Sequence, residues 1–210
     1  MSKPLPTTVR THFTALRMLL VMTVILGLAY PLLVTGIGQA VFNDKANGSI
    51  VKTADGKEIG SGLLGQSYDL PKKNPDDPNE VAQPDPKWFQ PRPSANTYDG
   101  KVSGASNLGP NNEDLTKTIE DRRQAVAAFD GVDPASVPVD AVTASGSSLD
   151  PHISVAYAKE QAGRVAKARN LPVDTMDKLI GKYTEGPSLG FLGQEGVNVV
   201  LLNKALSEQK

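Results

Sequence analysis

The chain contains no cysteine. Disulfide scaffolds, thiolate zinc sites and cysteine nucleophiles are therefore excluded together. It has two histidines, His12 and His152, far apart in sequence, so no histidine pair stands at metal-ligand spacing. It lacks a basic excess: the formal net charge is -1. A nucleic-acid binder needs cationic charge on some face to neutralise phosphates, so that class is disfavoured. Aromatic residues make up 5% of the chain, against 19 Gly and 16 Pro among 210 residues. That balance predicts a loop-rich domain around a modest core.

A further absence is local. The 26 residues from Met18 to Asn43 carry no charge. As a helix rising about 1.5 Å per residue the run reaches roughly 39 Å, enough to cross a bilayer with tilt. A cleavable signal is the competing reading, with Gly38-Gln39-Ala40 as a loose cleavage site, but its apolar region is usually about 7–15 residues. The longer run is read as a retained membrane helix at 16–42, after a basic tail at 1–15 and before an extracytoplasmic domain at 43–210. Residues 1–17 hold Lys3, Arg10 and Arg17 and no acid, which leaves -4 for the rest of the chain. The positive-inside rule then places the N-terminus in the cytoplasm and the C-terminal domain outside. Thr23 with Gly27, and Gly36 with Ala40, are small-xxx-small spacings that permit close helix packing in lipid. Pro31 is expected to kink the helix.

The remaining chain reads as an α+β domain: a small sheet, about three helices and long loops. "GSIVKTADGKEIGSGLLGQ" (48–66) suggests a hairpin whose two-residue turn is Asp55-Gly56. Seven prolines between Pro71 and Pro93 argue against regular structure there. Residues 111–129 repeat apolar positions at helical spacing (Leu115, Ile119, Val126, Phe129). So do 152–170 (Ile153, Ala156, Tyr157, Val165) and 172–183 (Val173, Met176, Leu179, Ile180, Tyr183). "VNVVLL" (197–202) reads as a buried strand.

"TASGSSLDPHIS" (143–154) packs four serines, an aspartate and a histidine into twelve residues. A membrane-anchored serine hydrolase would use Ser145 or Ser147 with His152. No G-x-S-x-G elbow surrounds either serine. The alternative is structural: Asp150-Pro151 as an N-cap followed by proline at the first helical position. A nucleotide-binding module lacks G-x-x-x-x-G-K-[ST]. A metal site lacks a ligand set. The residues alone thus favour an accessory membrane protein over an enzyme.

Several blocks together carry a resemblance. After the helix come "GSGLLGQ" (60–66), "WFQPRPSA" (88–95), "SGASNLGP" (103–110), "VPVDAVTASGSSLDPHIS" (137–154), "RVAKARNLP" (164–172), "LIGKY" (179–183) and "FLGQEGVNVVLLNKAL" (191–206). In this order they resemble the C subunit of the Kdp potassium-transporting P-type ATPase. The resemblance implies a prokaryotic plasma-membrane complex with three partners: a channel-like potassium-translocating subunit, an ATP-hydrolysing P-type subunit and a small single-helix subunit. It implies an accessory, non-catalytic subunit that stabilises the assembly and acts as a catalytic chaperone, raising the ATP affinity of the hydrolysing subunit. ATP and potassium then belong to the complex, with no cofactor or metal assigned to this chain. Arg92, Ser94, Ser103, Asn107, Ser145 and Asp150 are expected to order the loops or to face the potassium-translocating partner. The proline-rich insert at 71–87 and Gln194-Glu195-Gly196 depart from the family's expected pattern.

Overall fold

The computed structural model describes residues 6–74, 76–77 and 80–209. Lys3 of the basic tail, and Pro75, Pro78 and Asn79 of the proline-rich loop, lie outside the described residues. The chain divides into two units, Met1–Ser49 and Ile50–Lys210.

The first unit is dominated by one apolar helix, Thr7–Val41, 35 residues long with its membrane-length window wholly unburied. Its helical start at Thr7 lies within the segment expected as a tail. The helix runs as α1 (Thr7–Val24), a π-helical turn (Ile25–Ala29) and α2 (Tyr30–Val41). Proline has no N–H, so at Pro31 the α-type bond back to Gly27 cannot form. The ladder widens just before it: the Tyr30 N–H donates to the Ile25 carbonyl, five residues back. The irregularity expected at Pro31 thus takes the form of a π-turn. A short helix α3 (Asn43–Ala46) follows. Gln39 ties the two together, accepting from Asn43 Nδ2 at 3.0 Å and donating to Asn47 Oδ1 at 3.1 Å. Thr23, Gly27, Gly36 and Ala40 are all exposed within this unit.

The second unit opens with a hairpin, β1 (Ile50–Lys52) and β2 (Glu58–Ser61). The expected two-residue turn is corrected. Thr53 N–H donates to the Lys57 carbonyl at 2.9 Å, which leaves Ala54, Asp55 and Gly56 as the loop. Only Gly56 takes a positive φ, 84°. Asp55 instead accepts a bond from the Thr53 hydroxyl. The result has the form of a three-residue hairpin loop with glycine in the left-handed position.

The main body comprises α4 (Glu113–Asp130), the one-turn α5 (Val139–Val142), β3 (His152–Ile153), α6 (Val155–Arg169), α7 (Val173–Lys182), β4 (Thr184–Glu185), β5 (Gly196–Asn198) and α8 (Val199–Ser207). The three strands form an antiparallel sheet in the order β3-β5-β4, with Ile153 opposite Val197 and Thr184 opposite Val197 on the other side. The core gathers Tyr157, Val165, Met176, Ile180, Val197, Leu202 and Leu206 under the sheet and between the helices. α4 joins it less fully. Its fully buried residue is Ala127, while Leu115, Ile119, Val126 and Phe129 are half-buried. On α6, Ala158 is buried in place of the expected Ala156, which is exposed. On α7, Val173 is exposed.

Two boundaries differ from the sequence reading. "VNVVLL" is not one strand. It is a strand as far as Asn198 and a helix from Val199 onwards. Asn198 Oδ1 accepts from the N–H groups of Val200 and Leu201 at 3.1 and 3.2 Å, so a capping side chain outweighs β-branched propensity. Likewise Asp150 does not cap the next helix. Ser154 does, accepting from the Tyr157 N–H at 3.0 Å. Residues 152–153 pair with β5 first, and this delays the helix.

The segment 86–92 has no strand partner, yet its backbone is satisfied. Phe89 N–H donates to Asn203 Oδ1 at 3.0 Å, and Asn203 Nδ2 returns a bond to the Phe89 carbonyl at 2.9 Å. Gln90 and Gln161 repeat the exchange at 2.6 and 3.1 Å. Buried carboxamides thus act as a one-residue strand edge, as a buried backbone requires. Arg164 donates to the carbonyls of Pro86 and Trp88 at 2.8 and 3.0 Å and pairs with buried Asp130 at 2.6 Å. The proline-rich excursion closes on itself: Leu70 N–H meets the Gln83 carbonyl at 2.7 Å, and Asp85 N–H the Tyr68 carbonyl at 3.1 Å.

Candidate functional site

The site grows from three distant segments: 62–65, 92–104 and 143–154. Ser148 lies at their junction, 1% exposed and in the left-handed region at φ 60°. Its hydroxyl donates to the Gly104 carbonyl at 2.6 Å and accepts from the Ala95 N–H at 3.0 Å. Ser94 Oγ lies 2.9 Å from the Ser148 carbonyl and 2.7 Å from Asn96 Oδ1, and accepts from the Tyr98 N–H at 3.0 Å. Ser103 Oγ reaches the Ser147 carbonyl at 3.4 Å. Tyr98 donates its hydroxyl to the Arg92 carbonyl. Burial, and then the charge of Asp69, push that phenol up. Gly65 permits the closure: a Cβ there would lie 2.8 Å from the Asp150 carbonyl oxygen and 2.9 Å from the Tyr98 ring.

Charge gathers at the edge of this network. Arg92 donates to the carbonyls of Thr143 and Ala144 at 3.3 and 3.4 Å, and its Nη1 lies 3.6 Å from Asp150 Oδ2. Asp150 Oδ1 accepts from the His152 N–H at 2.9 Å and faces its Nδ1 at 3.2 Å. His152 Nε2 faces Glu185 Oε2 at 3.4 Å. The bond to Asp150 raises the His152 pKa against the opposing effect of burial, with Glu185 adding to the rise. Burial pushes Asp150 up, but its bonds from His152 and the Arg92 charge outweigh that and hold it below its ordinary value. These groups line an open cleft of about 630 Å³ between α5 and the β4–β5 connection.

The geometry bears directly on the hydrolase alternative. Each His152 ring nitrogen faces a carboxylate. Ser145 Oγ instead lies 3.4 Å from Ser147 Oγ, and Ser147 Oγ accepts from the Leu149 N–H at 3.1 Å. Among the described residues the serines and His152 are not brought together as nucleophile and base.

A family model described as KdpC: K+-transporting ATPase, c chain, matches residues 12–208. The chain belongs to this family. It is 46% identical to the potassium-transporting ATPase KdpC subunit of Streptomyces avermitilis, with 99% of this chain and 98% of that protein aligned. It is 47% identical to the same-named protein of Kineococcus radiotolerans, covering 98% and 97% of the two chains. The Methylococcus capsulatus protein of that name is also 47% identical, over 93% of this chain and 96% of its own length. The resemblance read from the motif blocks is thereby established, and the chain is a subunit of a K+-transporting ATPase.

Within this family member the structure joins Arg92, Ser94, Ser103, Ser145 and Asp150 into one neighbourhood. Asn107 stays apart. It is exposed at φ 55°, and its amide bonds locally to the Ala105 carbonyl at 3.2 Å. Sequence reasoning missed Asp140, whose carboxylate accepts from the Ser154 N–H and hydroxyl at 2.7 and 2.8 Å. It also missed Glu185, which reaches His152 from across the sheet, and the supporting amides Gln161, Asn198 and Asn203. A signal existed for the amides, since each is a polar residue at an apolar position of a helix or strand. No local signal exists for Glu185.

Proposed function

We propose that this chain is the non-catalytic accessory subunit that stabilises a high-affinity, ATP-driven potassium uptake complex and raises the ATP affinity of its hydrolysing subunit, as a catalytic chaperone. Its partners in this reading are a channel-like potassium-translocating subunit, the ATP-hydrolysing P-type subunit and a small single-helix subunit. ATP and potassium act at the level of that complex. The chain crosses a prokaryotic plasma membrane once, with its N-terminus in the cytoplasm and residues 43–210 outside. The observation that carries the reading is the economy of the serine loop. Its hydroxyls and its histidine are spent on backbone groups, carboxylates and one another, as in a scaffold. A domain outside the membrane reaches ATP only through coupling between subunits, carried by packed helices that favour one state of the hydrolysing partner. The exposed Thr23, Gly27, Gly36 and Ala40 suit such helix packing.

Two measurements test this. With no native cysteine, Ser61→Cys gives a single labelling site. Reaction with an impermeant thiol reagent in intact cells is expected, and labelling only after lysis overturns the topology. Complexes purified with and without this chain are then compared for potassium-stimulated ATP hydrolysis. The preparation lacking the chain is expected to need several-fold more ATP for half-maximal rate. Equal half-saturation refutes the chaperone role.

A further inference from the structure

The connection between β4 and β5 does what soluble surfaces rarely do. From Gly186 to Gln194 it carries no charge. Ser188 and Leu192 exchange backbone bonds at 2.8 and 2.9 Å, closing a small hairpin. At its tip Leu189 is 83% exposed and Phe191 74% exposed. Leu192 is also exposed and lines the cleft described above. Isolated apolar residues on a surface need no explanation, but three within four residues form a patch. Leu189 moreover sits in the left-handed region at φ 55°, a conformation costly for a bulky side chain. No burial offsets that cost within this chain.

The base of the hairpin is acidic. Glu185 and Glu195 flank it, and Asp140 and Asp150 lie across the cleft. On the other side of the cleft Glu195 shares a hollow with Lys159 and Asp177. The basic groups within the cleft are Arg92 and His152. Asp150 engages both, and His152 also reaches Glu185. Asp140 is committed to Ser154. Glu195 makes no ion pair among the described residues. The unbalanced charge beside an apolar prong is therefore negative.

We propose that the Gly186–Gly193 hairpin and the acidic cleft at its base form the docking surface for an extramembrane loop of another subunit of the transport complex, a segment carrying a lysine or arginine among apolar residues. The proposal rests on the reading of this chain as an accessory subunit. Apolar anchors at the centre with charge at the rim give an interface its affinity and its register respectively. A lipid surface is the poorer match. Segments that insert at anionic headgroups carry lysine or arginine beside their apolar residues, whereas this tip is flanked by glutamates that such a surface repels.

The test uses the whole complex extracted in mild detergent, with a benzophenone side chain replacing Phe191. Irradiation is expected to join this chain to another subunit of the complex, and a control probe at Lys117 on α4 to give no such product. A product with lipid, a product with a second copy of this chain, or no product while the ATPase still co-purifies, each overturns the docking surface and leaves the subunit reading standing. Failure of the ATPase to co-purify with the unlabelled, unmodified chain overturns both. The double variant Phe191→Glu, Leu189→Glu is expected to weaken retention in the complex at least about tenfold, the scale of a lost interface anchor. Its melting temperature should match that of the parent domain, since both side chains are exposed. Glu185→Gln with Glu195→Gln should weaken retention about 3–10-fold at low salt and lose that effect at high salt, as screened charge pairs do. Unchanged retention in both double variants also refutes the proposal.

Discussion

Ser148 and Leu189 both hold the left-handed backbone conformation, at φ 60° and 55°, and for opposite reasons. Ser148 is buried. Its hydroxyl and carbonyl knit 143–150 to 94–104. Leu189 is exposed on a hairpin whose apolar tip is left largely uncovered by the described residues. One irregular segment is thus explained by the bonds it makes inside the domain, and the other, in the proposal above, by a partner outside it. Irregular backbone becomes informative once its hydrogen bonds and its exposed area have both been accounted for.

The largest expected loss comes from Arg164, which pins the 86–92 segment leading into the Ser148 junction. Its guanidinium holds the carbonyls of Pro86 and Trp88 and pairs with Asp130, the side chains being 6% and 1% exposed. Arg164→Met leaves a buried, unpaired carboxylate, and removing one partner of such a pair costs about 3–5 kcal/mol. Chemical denaturation of the domain should show that loss at neutral pH. Burial already raises the Asp130 pKa against the pull of Arg164. Without the arginine it rises further, so the deficit should shrink as pH falls and the carboxyl takes up a proton.

Asn203→Leu comes next. It removes both bonds that satisfy the Phe89 backbone and strands a buried N–H and a buried carbonyl. At about 1–3 kcal/mol for each unsatisfied group the expected loss is about 2–6 kcal/mol, read as a lower midpoint in urea. Equal stability of the variant would mean that the Asn203 carboxamide is not what holds Phe89. Ser148→Gly follows at about 1–2 kcal/mol, because the loss of two buried hydrogen bonds exceeds the relief of the positive φ.

The contrast also explains what the sequence disclosed. The long apolar helix and the helices of the main body show through their periodicity, because burial of one face needs no distant partner to be inferred. The serine loop shows as a block of hydroxyls. Its partners do not, because Gly104, Ala95 and Gly65 contribute backbone atoms and space, which leave no side-chain signature. Asn198 misled in the other direction. Within "VNVVLL" it reads as part of one buried strand, when its carboxamide ends the strand and starts α8. Asp150 reads as the cap that Ser154 makes, since β3 is only two residues long and leaves no periodicity to detect. The arrangement of Arg92, Asp150, His152 and Glu185 depends on the sheet order β3-β5-β4, which places Glu185 near His152 across one intervening strand.

His152 is the side chain that links the two regions, with Asp150 of the pinned loop on one nitrogen and Glu185 at the hairpin base on the other. Its pKa is raised above 6.5, so the stability it contributes is complete below that value and is lost as pH rises through the folded-state pKa. Asp150 is held below 3.8, so its contribution is present above that value and is lost as pH falls through its depressed pKa. His152→Ala should therefore differ most from the parent between about pH 4 and 6.5, and by less as pH rises through the raised folded-state pKa of His152. Because the groups are partly exposed, the difference stays below about 1 kcal/mol.

The smallest expected change separates the regions most cleanly. Leu189→Gly removes a side chain that buries little, and it relieves a left-handed conformation that costs a non-glycine residue about 1–2 kcal/mol. The added freedom of glycine in the unfolded chain returns roughly 0.5–1 kcal/mol of that. Stability of the domain should rise slightly or stay within about 0.5 kcal/mol of the parent, where Ser148→Gly falls. The same Leu189→Gly substitution should weaken retention in the complex. A domain that keeps its stability while losing its partner has a tip shaped for binding. A domain that loses stability instead has a tip that packs within the fold, and the contrast with Ser148 then disappears.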